Sequence, residues 1–109
     1  MAYNEKLAAR VRKALARRKG VSERKMFGGI AFMVGGNMCC GVIQDDLMVR
    51  VGPEAYERAL ALPGARPMDF TGRPMKGMVY VGQAGHRTDA ALASWVKRGA
   101  DYAASLPAK

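Results

Sequence analysis

Four groups of residues have types that could do chemistry: the adjacent thiols Cys39-Cys40, the single histidine His86, the carboxylates Asp45-Asp46, and the cations Lys6, Arg10, Lys13 and Arg17. Two thiols could serve redox or metal chemistry. Thiolate ligation ordinarily needs Cys-x-x-Cys spacing or further Cys and His partners, and only His86 is available elsewhere. Neighbouring residues of a strand point to opposite faces, so a disulfide between Cys39 and Cys40 would be strained. Reduced thiols are expected, with at least one buried as a small hydrophobe. His86 lies in Gly85-His86-Arg87, which reads as a loop, and no Ser, Asp or Cys constellation can be assigned to it; a surface position is expected. Asp45-Asp46 falls at a hairpin turn, where turn chemistry accounts for it. Gly28-Gly29 lacks the Gly-x-x-x-x-Gly-Lys-Ser/Thr and Gly-x-Gly-x-x-Gly patterns of phosphate loops, so a bulge or close packing is the expected reason for the pair. No catalytic residue, cofactor site or metal site is expected.

The cations carry more information. Residues 1 to 25 hold nine Lys and Arg against Glu5 and Glu23, a net +7 of the chain's +9. Charge gathered on one element favours an anionic partner, such as nucleic acid, an acidic protein or an anionic membrane; the alternative is a solvated helix face. From Tyr3 to Arg18 the apolar residues Tyr3, Leu7, Val11, Ala14 and Leu15 recur at helical spacing, and Lys6, Arg10, Lys13 and Arg17 form a stripe beside them. No aromatic platform or base-reading residue is interleaved with that stripe. Nucleic-acid binding through it would be weak, sequence-independent and salt-sensitive.

The elements that position these residues follow from pattern. At 109 residues the chain is sized for one domain, 1–109, and no apolar stretch approaches the roughly 20 residues that span a bilayer. A soluble protein without membrane association is expected, and the N-terminus lacks a signal-peptide pattern, so the expected location is cytoplasmic. Gly20 is placed to end the first helix, with Ser22-Glu23 in a connection. A first strand runs from Met26 to Val34, Gly35-Gly36-Asn37 makes a hairpin, Met38 to Ile43 a second strand, and Leu47 to Val51 a third. Gly52-Pro53-Glu54 starts a short helix with Ala55, Tyr56, Ala59 and Leu60 inward. Residues 63 to 77 are rich in Pro and Gly and read mainly as loop, with Met68 to Phe70 pairing briefly; Met78 to Val81 is a last strand. After a polar turn at 82–87, Thr88 caps a final helix with Leu92, Trp95, Val96, Tyr102 and Ala103 inward and Gly99 allowing close approach. The result is an α+β domain with a mainly antiparallel sheet flanked by helices, in the order α-β-β-β-α-β(β)-α. Both strand faces are apolar, which implies that helices or a second subunit cover both. The eight methionines, four of them in the strand run, fill a core or make an adaptable surface; core filling is the favoured reading.

Met26-Phe27-Gly28-Gly29-Ile30-Ala31-Phe32-Met33, Gly41-Val42-Ile43, Leu47-Met48-Val49-Arg50-Val51 and Met75-Lys76-Gly77-Met78-Val79-Tyr80-Val81 resemble the N-terminal domain of the TfoX/Sxy competence-regulator family. The resemblance spans roughly residues 5 to 105 and is most specific at the Met-Phe-Gly-Gly opening. It implies a fold like that of secretion chaperones and YjbR-type proteins, a homodimer, and a role in transcription linked to DNA uptake. Members that regulate competence carry a second, helical domain, so the expectation is a free-standing N-terminal-type domain. The leading functional expectation is a non-enzymatic regulatory module acting through a protein partner. Its rivals are a sequence-nonspecific nucleic-acid binder using Lys6, Arg10, Lys13 and Arg17, and a small enzyme or ligand-binding domain with a Met- and aromatic-lined pocket between sheet and helices.

Overall fold

The computed structural model describes residues 3–26, 28–69 and 74–108. Helix α1 spans Glu5–Ala14 and begins at Asn4, whose side chain accepts a hydrogen bond from the Leu7 amide at 3.0 Å. Its buried side is Leu7, Ala8 and Val11. The helix stops short of the Arg18 that its periodicity predicts, because Leu15 is its C-cap and residues 15–17 form a turn. Leu15 stays buried there, which explains why the apolar pattern outlasts the helix.

Residues expected to be a connection form a strand instead, β1, over Val21–Met26. Ser22, Glu23, Arg24 and Lys25 carry no alternation because β1 is an edge strand with one neighbour. Strand β2 is therefore Gly29–Val34, a separate unit from Met26, followed by β3 at Asn37–Ile43 and β4 at Asp46–Arg50. Gly35 and Gly36 have φ of 60° and 82°, and Val34 pairs with Asn37 across them, as a two-residue hairpin turn requires. Helix α2 is Tyr56–Leu60, with Ala59 buried. The Pro/Gly segment read mainly as loop contributes a further edge strand, β5 at Ala65–Asp69, and β6 reaches from Pro74 to Val81. An edge tolerates Pro67, so proline there hid a strand rather than excluding one. Helix α3, Gln83–His86, lies where a polar turn was expected. Helix α4, Asp89–Ala104, is capped by Thr88, whose hydroxyl accepts from the Ala91 amide at 3.1 Å. Phe27 and Phe70, cited in the resemblance and the strand reading, lie outside the described residues.

The α+β class is as the sequence implies, and the expected elements occur in the expected order, with β1 and α3 added to them. The sheet runs β1-β2-β3-β4-β6-β5, with every neighbouring pair antiparallel. Cross-strand register sets its two faces. Phe32, Cys40, Val49 and Val79 lie side by side, as do Ile30, Val42, Leu47 and Val81, and both rows enter the core with Leu7, Val11, Ala59, Leu92, Trp95 and Val96. All four described helices pack on that face. The opposite face carries Met48 beside Tyr80, and Met48, Met68 and Met78 form a second buried cluster against Met38, Ile43 and Tyr80. Helices thus cover one face, not both.

A bulge in β3 decides how α4 docks. Phe32 pairs with Cys40 and Met33 with Met38, leaving Cys39 as the extra residue. Alternation fails at that point, and both cysteines enter the helix-side core, fully buried and unbridged, with their sulfurs 3.4 Å apart. The hydrogen bond between them lowers the pKa of the Cys39 thiol, and the same bond together with burial pushes that of Cys40 well up. Gly99 of α4 sits so close to the bulge that a methyl group would fall on the Cys39 carbonyl. Gly29 is similarly pressed against the Val42 carbonyl, and Gly28 turns with φ of 76°, so the Gly28-Gly29 pair has a structural reason. Gly99→Ala is expected to lower stability by about 1–3 kcal/mol, read as a fall in the urea midpoint at constant slope. An unchanged midpoint would show that α4 does not pack against the bulge as closely as described.

Candidate basic site around the first helix

The four cations of the predicted stripe separate into different environments. Lys6, Lys13 and Arg17 are exposed and form no ion pair among the described residues, while Arg17 lies past the end of α1 in the following turn. Arg10 is half-buried and engaged. Its Nη2 donates to the carbonyls of His86 at 2.8 Å and Arg87 at 3.3 Å, and its Nε donates to Asp89 Oδ1 at 3.3 Å. Those carbonyls lie where α3 ends and α4 begins, so Arg10 fastens the first helix to that junction.

Two neighbouring cations are also committed to structure. Arg12 makes a bidentate pair with Glu23 at 2.6 and 2.9 Å, tying α1 to the edge strand β1, and its guanidinium lies 5.9 Å from the centre of the Phe32 ring. Arg18 donates to Asp101 at 2.6 Å, which also receives Lys97 at 2.7 Å. The Arg12 hydrogen bond holds the Glu23 carboxyl below its usual range, and the bonds from Lys97 and Arg18 do the same for Asp101. Carboxylates lowered in the folded state contribute stability above the unfolded carboxyl range, and that contribution is lost as pH falls through the folded values. These pairs are surface contacts and their individual contributions are small.

A loop of contacts at the β3–β4 turn positions the rest. The Asn4 amide donates to the Gln44 carbonyl at 2.7 Å and the Asn4 side chain to Asp45 Oδ1 at 3.0 Å, so the start of α1 is anchored to that turn. His86 Nε2 lies 3.0 Å from the Asp45 carbonyl. A carbonyl only accepts, so Nε2 is the protonated nitrogen. His86 is buried, at 6% exposure, which overturns its expected surface position. Its burial was hidden from the sequence because the partner carbonyl is 41 residues away. Asp46 pairs with Arg66 at 2.6 Å, and the turn carboxylates are thereby both employed in structure.

Lys6 and Arg10 meet His86 and Arg87 around one surface cavity of about 340 Å³, which Asn4, Leu7 and Gln83 also line. An adjoining cleft of about 360 Å³ is lined by Arg10, Lys13, Ala14, Asp89, Leu92 and Ala93. The structure therefore brings Lys6, Arg10 and Lys13 to one region and separates Arg17 from them. Arg87 and Gln83 joined the site only on folding; the sequence signal for Arg87 was its place beside the lone histidine.

Six antiparallel strands with the described helices on one face, and a basic surface around α1, define a small single-sheet α+β domain. It belongs to the TfoX N-terminal domain family, whose model matches residues 13–103. No curated protein and no solved structure matches it. No described helix is long and apolar enough to cross a membrane.

The difference between Arg10 and its neighbours on the stripe can be measured. Arg10→Ala removes a charged donor from the part-buried His86 carbonyl and the exposed Arg87 carbonyl at the α3–α4 junction and is expected to cost about 1–3 kcal/mol of stability. Lys13→Ala is expected to stay within about 0.5 kcal/mol of the parent. Equal midpoints for the two variants in urea unfolding would contradict the structural role of Arg10.

Proposed function

We propose that this chain is a non-enzymatic regulatory interaction module of the cytoplasm that works through protein contact and does so as a homodimer. The observation that carries the reading is the sheet face turned away from the helices. Met38, Ile43 and Tyr80 are half-buried there against the buried Met48, Met68 and Met78, Met33 is half-buried as the cross-strand partner of Met38, and no described helix lies on them. A solvated face of an antiparallel sheet ordinarily carries alternating polar residues, and methionine is the side chain best suited to an adaptable contact. Strand addition at the edges is a poorer way to associate, since β1 presents Ser22, Glu23, Arg24 and Lys25 and β5 presents Arg66 and Pro67. Family membership supports the regulatory part of the reading, because the resemblance links this domain to competence regulators.

Size-exclusion chromatography with light scattering tests the dimer. The expected mass is twice the 11.8 kDa of the chain, falling to one chain for Met33→Glu/Met38→Glu, whose positions pair across β2 and β3. A monomeric parent at every concentration, or a dimer that survives the double substitution, would contradict the proposal.

A second reading, weak and sequence-nonspecific nucleic-acid binding, is favoured by the exposed cations Lys6, Lys13 and Arg17, which form no ion pair among the described residues. With Arg10 engaged in structure, few phosphate contacts remain to it. Fluorescence anisotropy with labelled DNA and RNA is expected to show binding that falls steeply between about 50 and 200 mM salt and is lost in Lys6→Ala/Lys13→Ala/Arg17→Ala. Binding that persists at high salt or in the triple variant would refute that mode.

A further inference from the structure

The methionines whose burial is described divide into two groups. Met48, Met68 and Met78 are buried, while Met33 and Met38 are half-buried and pair with each other across β2 and β3. Both of those strands are paired along both edges, β2 between β1 and β3 and β3 between β2 and β4. Their backbones are therefore covered, and the exposure of Met33 and Met38 belongs to the outer part of each side chain, which carries the thioether. We propose that Met33 and Met38 are sites of reversible oxidation to the sulfoxide, and that this modification releases the dimer formed through the same sheet face; the inference rests on the dimer reading given above.

The placement of the sulfurs selects the thioethers over the thiols. Cys39 and Cys40 are fully buried in the helix-side core, where the sheet and α4 shield them. Among the described residues, the sulfurs on half-exposed side chains are those of Met33 and Met38. A thioether reacts without first losing a proton, so no neighbouring base is required. With hydrogen peroxide as the oxidant, a sulfur lone pair attacks one peroxide oxygen, the O–O bond breaks as the S–O bond forms, and the other oxygen leaves as water after a proton passes to it. Sulfur gives up two electrons and the peroxide takes them.

Register explains why two oxygen atoms would act on association. Ala31 aligns with Gly41 and Gly41 with Met48, and Met33 lies two positions along β2 from Ala31, so Met33 projects to the face that holds Met38 and the buried Met48. Side chains directly opposite on neighbouring strands stand about 4.5–5.5 Å apart at their Cβ atoms, which makes Met33 and Met38 one contiguous patch. The sulfoxide oxygen is a strong hydrogen-bond acceptor that holds water, and an apolar contact between two copies has to strip that water away. Two-fold symmetry places the pair in the contact twice. Oxidation takes place on the separated chain, where the face is open, and removes that chain from the association equilibrium. Met48, Met68 and Met78 lie beneath the patch and keep the fold intact while its surface changes.

Treatment of the folded protein with hydrogen peroxide, followed by peptide mapping and light scattering, tests the proposal. Met33 and Met38 are expected to gain one oxygen each before Met48, Met68 and Met78 do, and the dissociation constant of the dimer is expected to rise by about tenfold or more, with far-UV circular dichroism unchanged. Incubation with the two epimer-specific methionine sulfoxide reductases and a dithiol should restore the dimer, because the oxygen leaves as water and the dithiol becomes a disulfide. Met33→Leu/Met38→Leu keeps the apolar volume and should dimerise yet ignore peroxide, which separates the thioethers from Cys39 and Cys40. Oxidation of Met33 and Met38 no faster than that of the buried methionines, an oxidised chain that stays dimeric or loses its circular dichroism, or equal dissociation of the leucine variant would each overturn the inference while leaving the dimer reading in place. A parent that is monomeric before any peroxide is added would overturn both.

Discussion

The two-residue turn between β3 and β4 is the constraint on which the helical side of this molecule depends. Gln44 adopts a positive φ of 51° there, and the turn then offers three acceptors within a few ångströms. The Gln44 carbonyl and the Asp45 carboxylate take the start of α1, and the Asp45 carbonyl takes the ring of His86. With both elements fixed to one turn, Arg10 can span from α1 to the end of α3 and complete the carbonyls that precede the Thr88 cap. A loosened turn would therefore release the first helix, the histidine and the entry to α4 together.

The two faces of the sheet are closed by different means. The β3 bulge and the absence of a side chain at Gly99 bring α4 into direct contact with the strand backbone, and the core on that face is filled by side chains from α1, α2 and α4. The face left without a helix is closed by its own methionines: Met48 lies over Gly41, and Met68 and Met78 pack beside it. Arg66 stacks 4.9 Å from the centre of the Tyr80 ring at the margin. One sheet thus separates a polar, cationic helical side from a soft apolar side, which gives two surfaces of different chemistry on one small domain.

What the sequence revealed depended on whether a residue's role was local. Thr88, the spacing of Leu92, Trp95 and Val96, and the gap at Gly99 define α4 from neighbours within a few turns, and the Gly35-Gly36 hairpin needs only its own φ angles. Edge strands were illegible for the opposite reason: β1 has polar residues at four successive positions and β5 contains Pro67, so neither shows the alternation that a half-buried strand displays. The bulge at Cys39 was equally hidden, because pairing register is a property of two strands and not of one. For the site, Lys6, Arg10 and Lys13 look equivalent on a helical stripe. Only contacts 76 to 79 residues away make Arg10 a clamp and leave Lys6 and Lys13 exposed. The burial of His86 rests on the same kind of distant partner.

The central claim is that the methionine-bearing sheet face is the surface through which this domain makes protein contact. Methyl-resolved NMR of the methionines over a concentration series tests it most directly, since the side chains in question report for themselves. The account predicts that the Met33 and Met38 methyl signals shift or broaden as the protein concentrates, while amide signals from α1 residues such as Lys6 and Lys13 hold still. Shifts confined to α1, or methionine signals indifferent to concentration across the whole range, would contradict it.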